Sequence, residues 1–340
     1  DVAGVRVGQV TLRKGDKVRT GVTAILPHPG NAYRSRVPAA LHVGNGFGKF
    51  IGTTQINELG ELESPILLTC TLCVWKAADA MVEWMLAQPD MQEVRSLNVV
   101  VGETNDGRLN DIRARPITTA AVRTALENAK GGPVQEGSVG AGTGTTAFGW
   151  KAGIGTSSRK LPDSLGGFTV GVLVQANFGG VLQVAGAPVG RELDRYAFQN
   201  AVAANTDGPR GLADDRGDGS IIIVIATDAP LSTISLTHLA RRAGLGLGRG
   251  GTPGGNSSGD IFLAFSTAPF GAMPQSAGAL IPQVELNAEL IDPVYLAAVE
   301  AVEESVVNAI VAGTDTPSFR FPGKVIPGID RAALAALFAN

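Results

Sequence analysis

Charge, histidine and cysteine are all scarce in this sequence, and each scarcity removes a class of function. Charged residues make up 17% of the 340, against about 25% in an ordinary globular chain. Lysine and arginine number 28 against 31 aspartates and glutamates. No basic run could track a phosphate backbone, so nucleic acid is not an expected partner. Three histidines, His28, His42 and His238, stand far apart, and Cys70 and Cys73 are the only cysteines. That supply argues against a zinc centre and against a disulfide framework, and no metal or cofactor is expected. Cys70-Thr71-Leu72-Cys73 has redox spacing but no second ligand pair, and reads as two buried, inert thiols. Although 44% of residues are hydrophobic, no run of about 18 is free of charges and turn formers, which argues against a membrane span.

Glycine is abundant, with 45 residues, about twice the usual share. This points to tight turns and close backbone approach, and the thin supply of charge points to surface covered by other subunits. The length allows one large domain or two of ordinary size. Residues 5–10 alternate apolar with polar and read as a strand, as do 22–26, which stop at Pro27. Helical patterns over 77–88 and 118–130, ended by Pro89 and by Gly131-Gly132, flank an apolar strand at 97–101. Further buried strands are expected at 171–175, 220–226 and 261–265. A helix opens at Asp292-Pro293, with Leu296, Val299, Val302, Val306 and Ile310 on one face. The segment 205–219, rich in Gly and Asp, reads as an exposed loop that is either functional or a place of chain cutting.

The chemistry begins where that loop ends. Gly219-Ser220 leads directly into an apolar run, so Ser220 opens a strand that must be buried. A serine there can attack its own preceding carbonyl by an N-to-O acyl shift. The freed residue would carry both a hydroxyl nucleophile and an α-amine of pKa about 8 to serve as base. The simpler alternative is a strand-start serine with a local hydrogen bond. Gly254-Gly255-Asn256-Ser257-Ser258-Gly259-Asp260 places Ser258 and Asp260 two apart, so they share a face if the strand begins there. The alternative is a polar turn. Asn177 ends an apolar strand and is either a turn residue or an oxyanion donor, which can contribute on the order of 3 kcal/mol. Glu103 leaves the strand at 99–101 and is either a turn carboxylate or the partner of a substrate ammonium. The glycine clusters at 140–144 and 244–248 have neither dinucleotide nor phosphate-loop spacing.

Five blocks occur together. They are Asp1-Val2-Ala3-Gly4-Val5-Arg6-Val7-Gly8, Arg19-Thr20-Gly21-Val22-Thr23, Glu103-Thr104-Asn105-Asp106-Gly107, Ala226-Thr227-Asp228-Ala229-Pro230-Leu231 and Gly255-Asn256-Ser257-Ser258-Gly259-Asp260. In this order they resemble the L-aminopeptidase D-Ala-esterase/amidase family, which includes the β-peptidyl aminopeptidases. The resemblance spans nearly the whole chain. It implies an α/β (α+β) fold, a four-layer αββα sandwich similar to ornithine acetyltransferase. It also implies a single catalytic domain, 1–340, made as a precursor that cuts itself at Gly219-Ser220 into 1–219 and 220–340. By the same likeness Ser220 is the nucleophile, Ser258 and Asp260 support it, Asn177 is the oxyanion amide and Glu103 anchors the substrate's free amine. Asp260 stands where the better known β-peptidases are expected to carry glutamate, one methylene longer. Lys151 resembles a pocket lysine of the more distant nylon-oligomer hydrolases.

The implied reaction is release of an N-terminal amino acid from a small peptide, amide or ester through an acyl-enzyme, with neither metal nor cofactor. A homotetramer of cut protomers is the expected assembly. Two rivals stand beside it: an acyltransferase of the ornithine acetyltransferase kind, and a nucleotide-binding protein using the 140–144 or 244–248 glycines. The sequence begins at Asp1 rather than Met, and the compartment stays open between cytoplasm and periplasm.

Overall fold

The computed structural model describes residues 1–199, 219–269, 273–274 and 278–339. In chain order the strands are β1 (Arg6–Lys14), β2 (Val18–Leu26), β3 (Ser35–Gly46), β4 (Phe50–Ile51), β5 (Glu61–Leu62), β6 (Ile66–Cys70) and β7 (Val100–Thr104). They continue with β8 (Thr146–Ala147), β9 (Trp150–Lys151), β10 (Ile154–Lys160), β11 (Thr169–Asn177), β12 (Ser220–Thr227), β13 (Gly259–Ser266), β14 (Met273–Pro274), β15 (Thr316–Pro317) and β16 (Val325–Ile326). The helices are α1 (Thr53–Leu59), α2 (Val74–Leu86), α3 (Thr119–Glu127), α4 (Val189–Glu192), α5 (Thr233–Arg249), α6 (Asp292–Val311) and α7 (Arg331–Ala336). One sheet runs β1-β2-β6-β7-β4. The other runs β10-β11-β12-β13-β3-β14, with β5 beside β3.

Side-chain alternation turns these sheets into four layers. Along β12, Ile221, Ile223 and Ile225 join a core with α5 and α6, while Ile222, Val224 and Ala226 face the other sheet. β13 repeats this, with Phe262 and Ala264 on the helix side and Ile261, Leu263 and Phe265 between the sheets. The outer face of the first sheet is covered by α2 and α3 through Leu67, Val101, Met81 and Val122. The order is therefore helices, sheet, sheet, helices, the αββα sandwich expected from the resemblance. Strands serving two cores must be apolar on both faces, which is why 220–226 reads as one unbroken run.

Close approach of helix to sheet is set by glycine. A Cβ on Gly155 of β10 would sit 1.9 Å from the Ser305 carbonyl oxygen and 2.6 Å from the Ala309 nitrogen of α6. Both are backbone atoms that cannot swing aside. Gly155→Ala is expected to destabilise the fold by about 1–3 kcal/mol, seen as a fall of several degrees in Tm by thermal denaturation. An unchanged Tm would mean that α6 does not press on β10 this closely.

Three expectations are corrected. Cys70 and Cys73 are buried as expected, but they are joined as a disulfide rather than being thiols. The glycines at 244–248 form no loop: they lie inside α5, where Gly246 lets α6 come so near that a Cβ would meet the Val299 carbonyl oxygen at 2.5 Å. Leu296 is 54% exposed, while Val299, Val302, Val306 and Ile310 are buried in α6. The cluster at 140–144 is a buried turn against β2. Both glycine clusters therefore serve packing, which removes the basis of the nucleotide reading. The loop expected at 205–219 lies outside the described residues except for Gly219.

Candidate active site

Three strand ends meet at one edge of the layer between the sheets. β11 ends at Asn177, β12 begins at Ser220 and β13 begins at Gly259. The antiparallel β11–β12 register pairs Asn177 with Ser220, and the parallel β12–β13 register pairs Ser220 with Gly259. These registers are held by the apolar alternation further along the strands, since a slip of one residue would turn the isoleucines to the wrong core. The core thus decides which polar residues meet at its edge.

Ser220 is only 5% exposed. Its Oγ accepts the Gly259 N–H at 3.2 Å, and the same N–H lies 3.3 Å from the Gly219 carbonyl oxygen. One donor therefore serves both the hydroxyl and the carbonyl of the Gly219–Ser220 bond. Gly219 itself tolerates no side chain: a Cβ would lie 2.2 Å from the Asn177 carbonyl oxygen. On the other side of Gly259, the Ser258 hydroxyl donates to Asp260 Oδ1 at 2.5 Å, and both residues are buried. The aspartate reaches the serine despite its shorter side chain. Burial pushes the Asp260 carboxyl above its ordinary range, and the Ser258 hydrogen bond opposes that rise. A register shift against β3 falls between Asp260 and Ile261, where the strand departs from simple alternation. The Asn45 amide holds the preceding loop by donating to the carbonyls of Gly255 and Asn256, both at 3.1 Å, and of Ser258.

The Asn177 side chain is oriented by its neighbours. Its Oδ1 accepts the Thr146 N–H at 3.1 Å, and its Nδ2 donates to the Asn105 carbonyl at 3.0 Å. That leaves one Nδ2 hydrogen for a ligand. Glu103, on β7, is 3% exposed. Its Oε1 accepts the Lys49 backbone N–H at 2.9 Å and lies 3.2 Å from Lys49 Nζ. A buried carboxylate here already has an ammonium as partner, as burial of a charge requires.

Ser220, Asn177, Glu103 and Lys49 line one cavity of about 570 Å³, together with Arg108 and Arg320. Lys151 is not part of it. That lysine is fully buried on β9 and its Nζ donates to the carbonyls of Gly142, at 3.1 Å, and Ala152. Burial brings its pKa down to about 7. Asp106, whose carboxyl burial raises to about 7, also lies beneath the cavity wall and accepts a hydrogen bond from Asn110 at 3.0 Å. Sequence reasoning did not single out Lys49, Asn45, Thr146, Arg108 or Arg320. Asn105 and Asp106 stand inside one of the five blocks, but nothing local distinguishes them from turn formers. Among the described residues no group of three or more His, Cys, Asp or Glu could hold a metal ion, and no helix is long and apolar enough to cross a membrane.

Known proteins resemble this chain in sequence and in fold. A beta-peptidyl aminopeptidase, BapA, of Sphingosinicella microcystinivorans is 42% identical over 330 residues, covering 92% of this chain and 80% of the relative. Among solved structures, the l-aminopeptidase d-ala-esterase/amidase of Ochrobactrum anthropi, described as a variant of the Ntn hydrolase fold, superposes with a TM-score of 0.87 at 41% identity, covering 99% of this chain and 92% of that one. A beta-aminopeptidase of Burkholderia sp. gives a TM-score of 0.86 at 42% identity with the same coverage. The family model of peptidase family S58 matches residues 1–321. With its four-layer fold, its buried serine at a strand start and this match along most of its length, the chain belongs to peptidase family S58.

Proposed function

We propose that the protein cuts its own chain between Gly219 and Ser220 and then works as an aminopeptidase and amidase with Ser220 as its N-terminal nucleophile. The observation that carries this reading is the shared donor. The Gly259 N–H reaches both Ser220 Oγ and the Gly219 carbonyl oxygen, the two atoms that an N-to-O acyl shift must bring under one roof. Ser220 Oγ attacks the Gly219 carbonyl, the Gly259 N–H stabilises the developing oxyanion, and the amide becomes an ester. Breaking of the C–N bond in that step frees the amine of Ser220, and water then cleaves the ester, releasing the 1–219 part and restoring the hydroxyl.

The same parts serve the substrate. Glu103 takes the substrate ammonium at the oxygen that Lys49 occupies. The Ser220 amine accepts the hydroxyl proton, and Oγ attacks the first carbonyl of the substrate. The remaining Nδ2 hydrogen of Asn177 stabilises the oxyanion. The Ser258–Asp260 pair stabilises the ammonium formed on Ser220. The amine or shortened peptide leaves, and water releases the free amino acid from the acyl-enzyme. The chain is a hydrolase acting on short peptides, amides or esters with a free amine, with homotetramers of cut protomers as the proposed assembly. The low charge content supports that assembly.

The test is a pair of aminoacyl p-nitroanilides, one free and one N-acetylated, given to the processed enzyme. Cleavage of the free form alone is expected; equal cleavage, or none of either, overturns the reading. A pH profile checks the supporting pair. Asp260 must be ionised to act and its carboxyl is raised by burial, so kcat/KM is expected to rise with pH through one limb above the ordinary aspartate range, separate from the limb of the Ser220 amine at about 8. Ser258→Ala removes the hydrogen bond that favours the ionised form, and therefore moves that limb to still higher pH. A limb that stays in place would remove Asp260 from the mechanism.

A further inference from the structure

We infer that Asp106 is a positioning residue of the oxyanion site: the two arms that hold the Asn177 amide meet at its side chain, which keeps that amide aimed at the substrate carbonyl. The inference rests on the oxyanion role proposed above for Asn177 and adds the group that stands behind it.

The two arms are the hydrogen bonds of the Asn177 side chain. One holds Oδ1 through the Thr146 N–H at 3.1 Å, and the other holds Nδ2 through the Asn105 carbonyl at 3.0 Å. A single Nδ2 hydrogen is left for a ligand. Its direction is only as fixed as these two arms, and an oxyanion donor works by being fixed before the charge develops.

Asp106 is 1% exposed and touches both arms. The Asn105 carbonyl belongs to the peptide bond that joins Asn105 to Asp106, and that bond is one rigid plane. Holding Asp106 therefore restrains the carbonyl. On the other arm Gly144 lies two residues before Thr146. A Cβ on Gly144 would sit 2.9 Å from Asp106 Cβ and 2.2 Å from the Arg19 carbonyl oxygen, so the backbone leading to Thr146 rests against the Asp106 side chain.

Asp106 is itself held by its own turn. Its Oδ1 accepts the Asn110 side-chain amide at 3.0 Å, and its carbonyl accepts the N–H groups of Leu109 at 3.1 Å and Asn110 at 3.0 Å. Asn110 Oδ1 in turn accepts the Arg19 N–H at 3.0 Å, which ties the turn to the start of β2. None of these bonds runs to the Glu103 carboxylate or to Ser220. Loss of the Asp106 side chain should therefore loosen the oxyanion amide and spare both the amine anchor and the nucleophile. Burial raises the Asp106 carboxyl to about 7, so near neutral pH it is already partly uncharged. The amide of asparagine keeps its shape and an oxygen for Asn110.

The experiment measures kcat and KM of the processed enzyme for alanine p-nitroanilide, or its β-alanine counterpart if wild type cleaves only that. Asp106→Ala is expected to lower kcat roughly ten- to hundredfold, part of what loss of an oxyanion donor costs. KM should stay within about twofold, since the amine anchor is untouched. Asp106→Asn should recover most of kcat. In an Asn177→Ala background Asp106→Ala should cost nothing further, because the amide through which it acts is gone. Cutting at Gly219-Ser220 should proceed in Asp106→Ala, since its oxyanion donor is the Gly259 N–H. Wild-type kcat in Asp106→Ala, or a rise in KM alone, overturns the inference. So does a loss of the same size in the Asn177→Ala background, or a chain that no longer cuts itself, because Asp106 would then hold the fold at large. Asp106→Asn as slow as Asp106→Ala overturns it too, since charge would matter in place of the hold. A wild type that cleaves no free-amine substrate overturns the aminopeptidase reading itself, and Asn177→Ala at full rate overturns the oxyanion role of Asn177, outcomes distinct from the others.

Discussion

Ser220→Ala is expected to leave a single chain of 34.9 kDa where the wild type shows two fragments of about 22 and about 12 kDa, scaling mass by length. It is also expected to lower hydrolysis of any amino-acid amide by at least about 10⁴-fold. Both effects come from one atom. In the proposed mechanism Ser220 Oγ attacks the Gly219 carbonyl, and after cutting it attacks the substrate. The substitution removes a hydroxyl that accepts one hydrogen bond, from the Gly259 N–H. That N–H keeps the Gly219 carbonyl as partner at 3.3 Å, so the fold should survive and Tm should change little. Denatured mass, N-terminal sequencing of the smaller fragment and thermal denaturation together decide the matter. Two fragments from the alanine variant would mean that cutting is the work of another protease or another residue. An uncut wild-type chain with full activity would remove the N-terminal amine from the mechanism.

Glu103→Gln carries the second large effect. It keeps shape and volume and keeps an oxygen for the Lys49 N–H, but loses the charge proposed to receive the substrate ammonium. In the wild type that ammonium must take the place of Lys49 Nζ, which lies 3.2 Å from Oε1 on a side chain 39% exposed against 3% for Glu103. The lysine can turn to water; the glutamate cannot. Removing one partner of a buried ion pair costs about 3–5 kcal/mol. The expected loss in kcat/KM for free-amine substrates is therefore roughly 10²- to 4 × 10³-fold. Since an N-acetylated analogue is not expected to be cleaved even by the wild type, the whole loss falls on free-amine substrates, and the preference for a free amine should shrink accordingly. Processing, which involves no substrate amine, should proceed, and two fragments on a denaturing gel would show that the centre is intact. Full preference for a free amine in this variant would move the amine anchor elsewhere in the cavity.

Much of this was legible in one dimension. The strands at 22–26, 171–175, 220–226 and 261–265 are marked by apolar runs punctuated by glycine and proline. The helices at 77–88 and 118–130 are marked by period and stop signals, with ends that differ by a few residues from α2 and α3. Ser220 stood out because a hydroxyl opened a run apolar on both faces, and Ser258 and Asp260 because two residues apart in a strand is one face. Other features misled because the same local pattern has two outcomes. The rival nucleotide reading needed a loop at Gly244, Gly246 and Gly248, yet small residues are also what a helix needs where another helix crosses it. Lys151 is drawn to the cavity by resemblance, yet the buried turn at 140–144 seals it against carbonyls.

Local composition therefore established the elements, their order and the residue able to act as nucleophile, because periodicity, caps and turn chemistry depend on near neighbours in the chain. The meeting of Asn177, Ser220 and Gly259, the pairing of Glu103 with Lys49 and the holding of Asn177 between Thr146 and Asn105 depend on strand register and on turns packed together from distant parts of the chain. Those were settled only when the isoleucines of β12 chose their two cores, since the burial of apolar side chains fixes which polar residues are carried to the edge and face one another there.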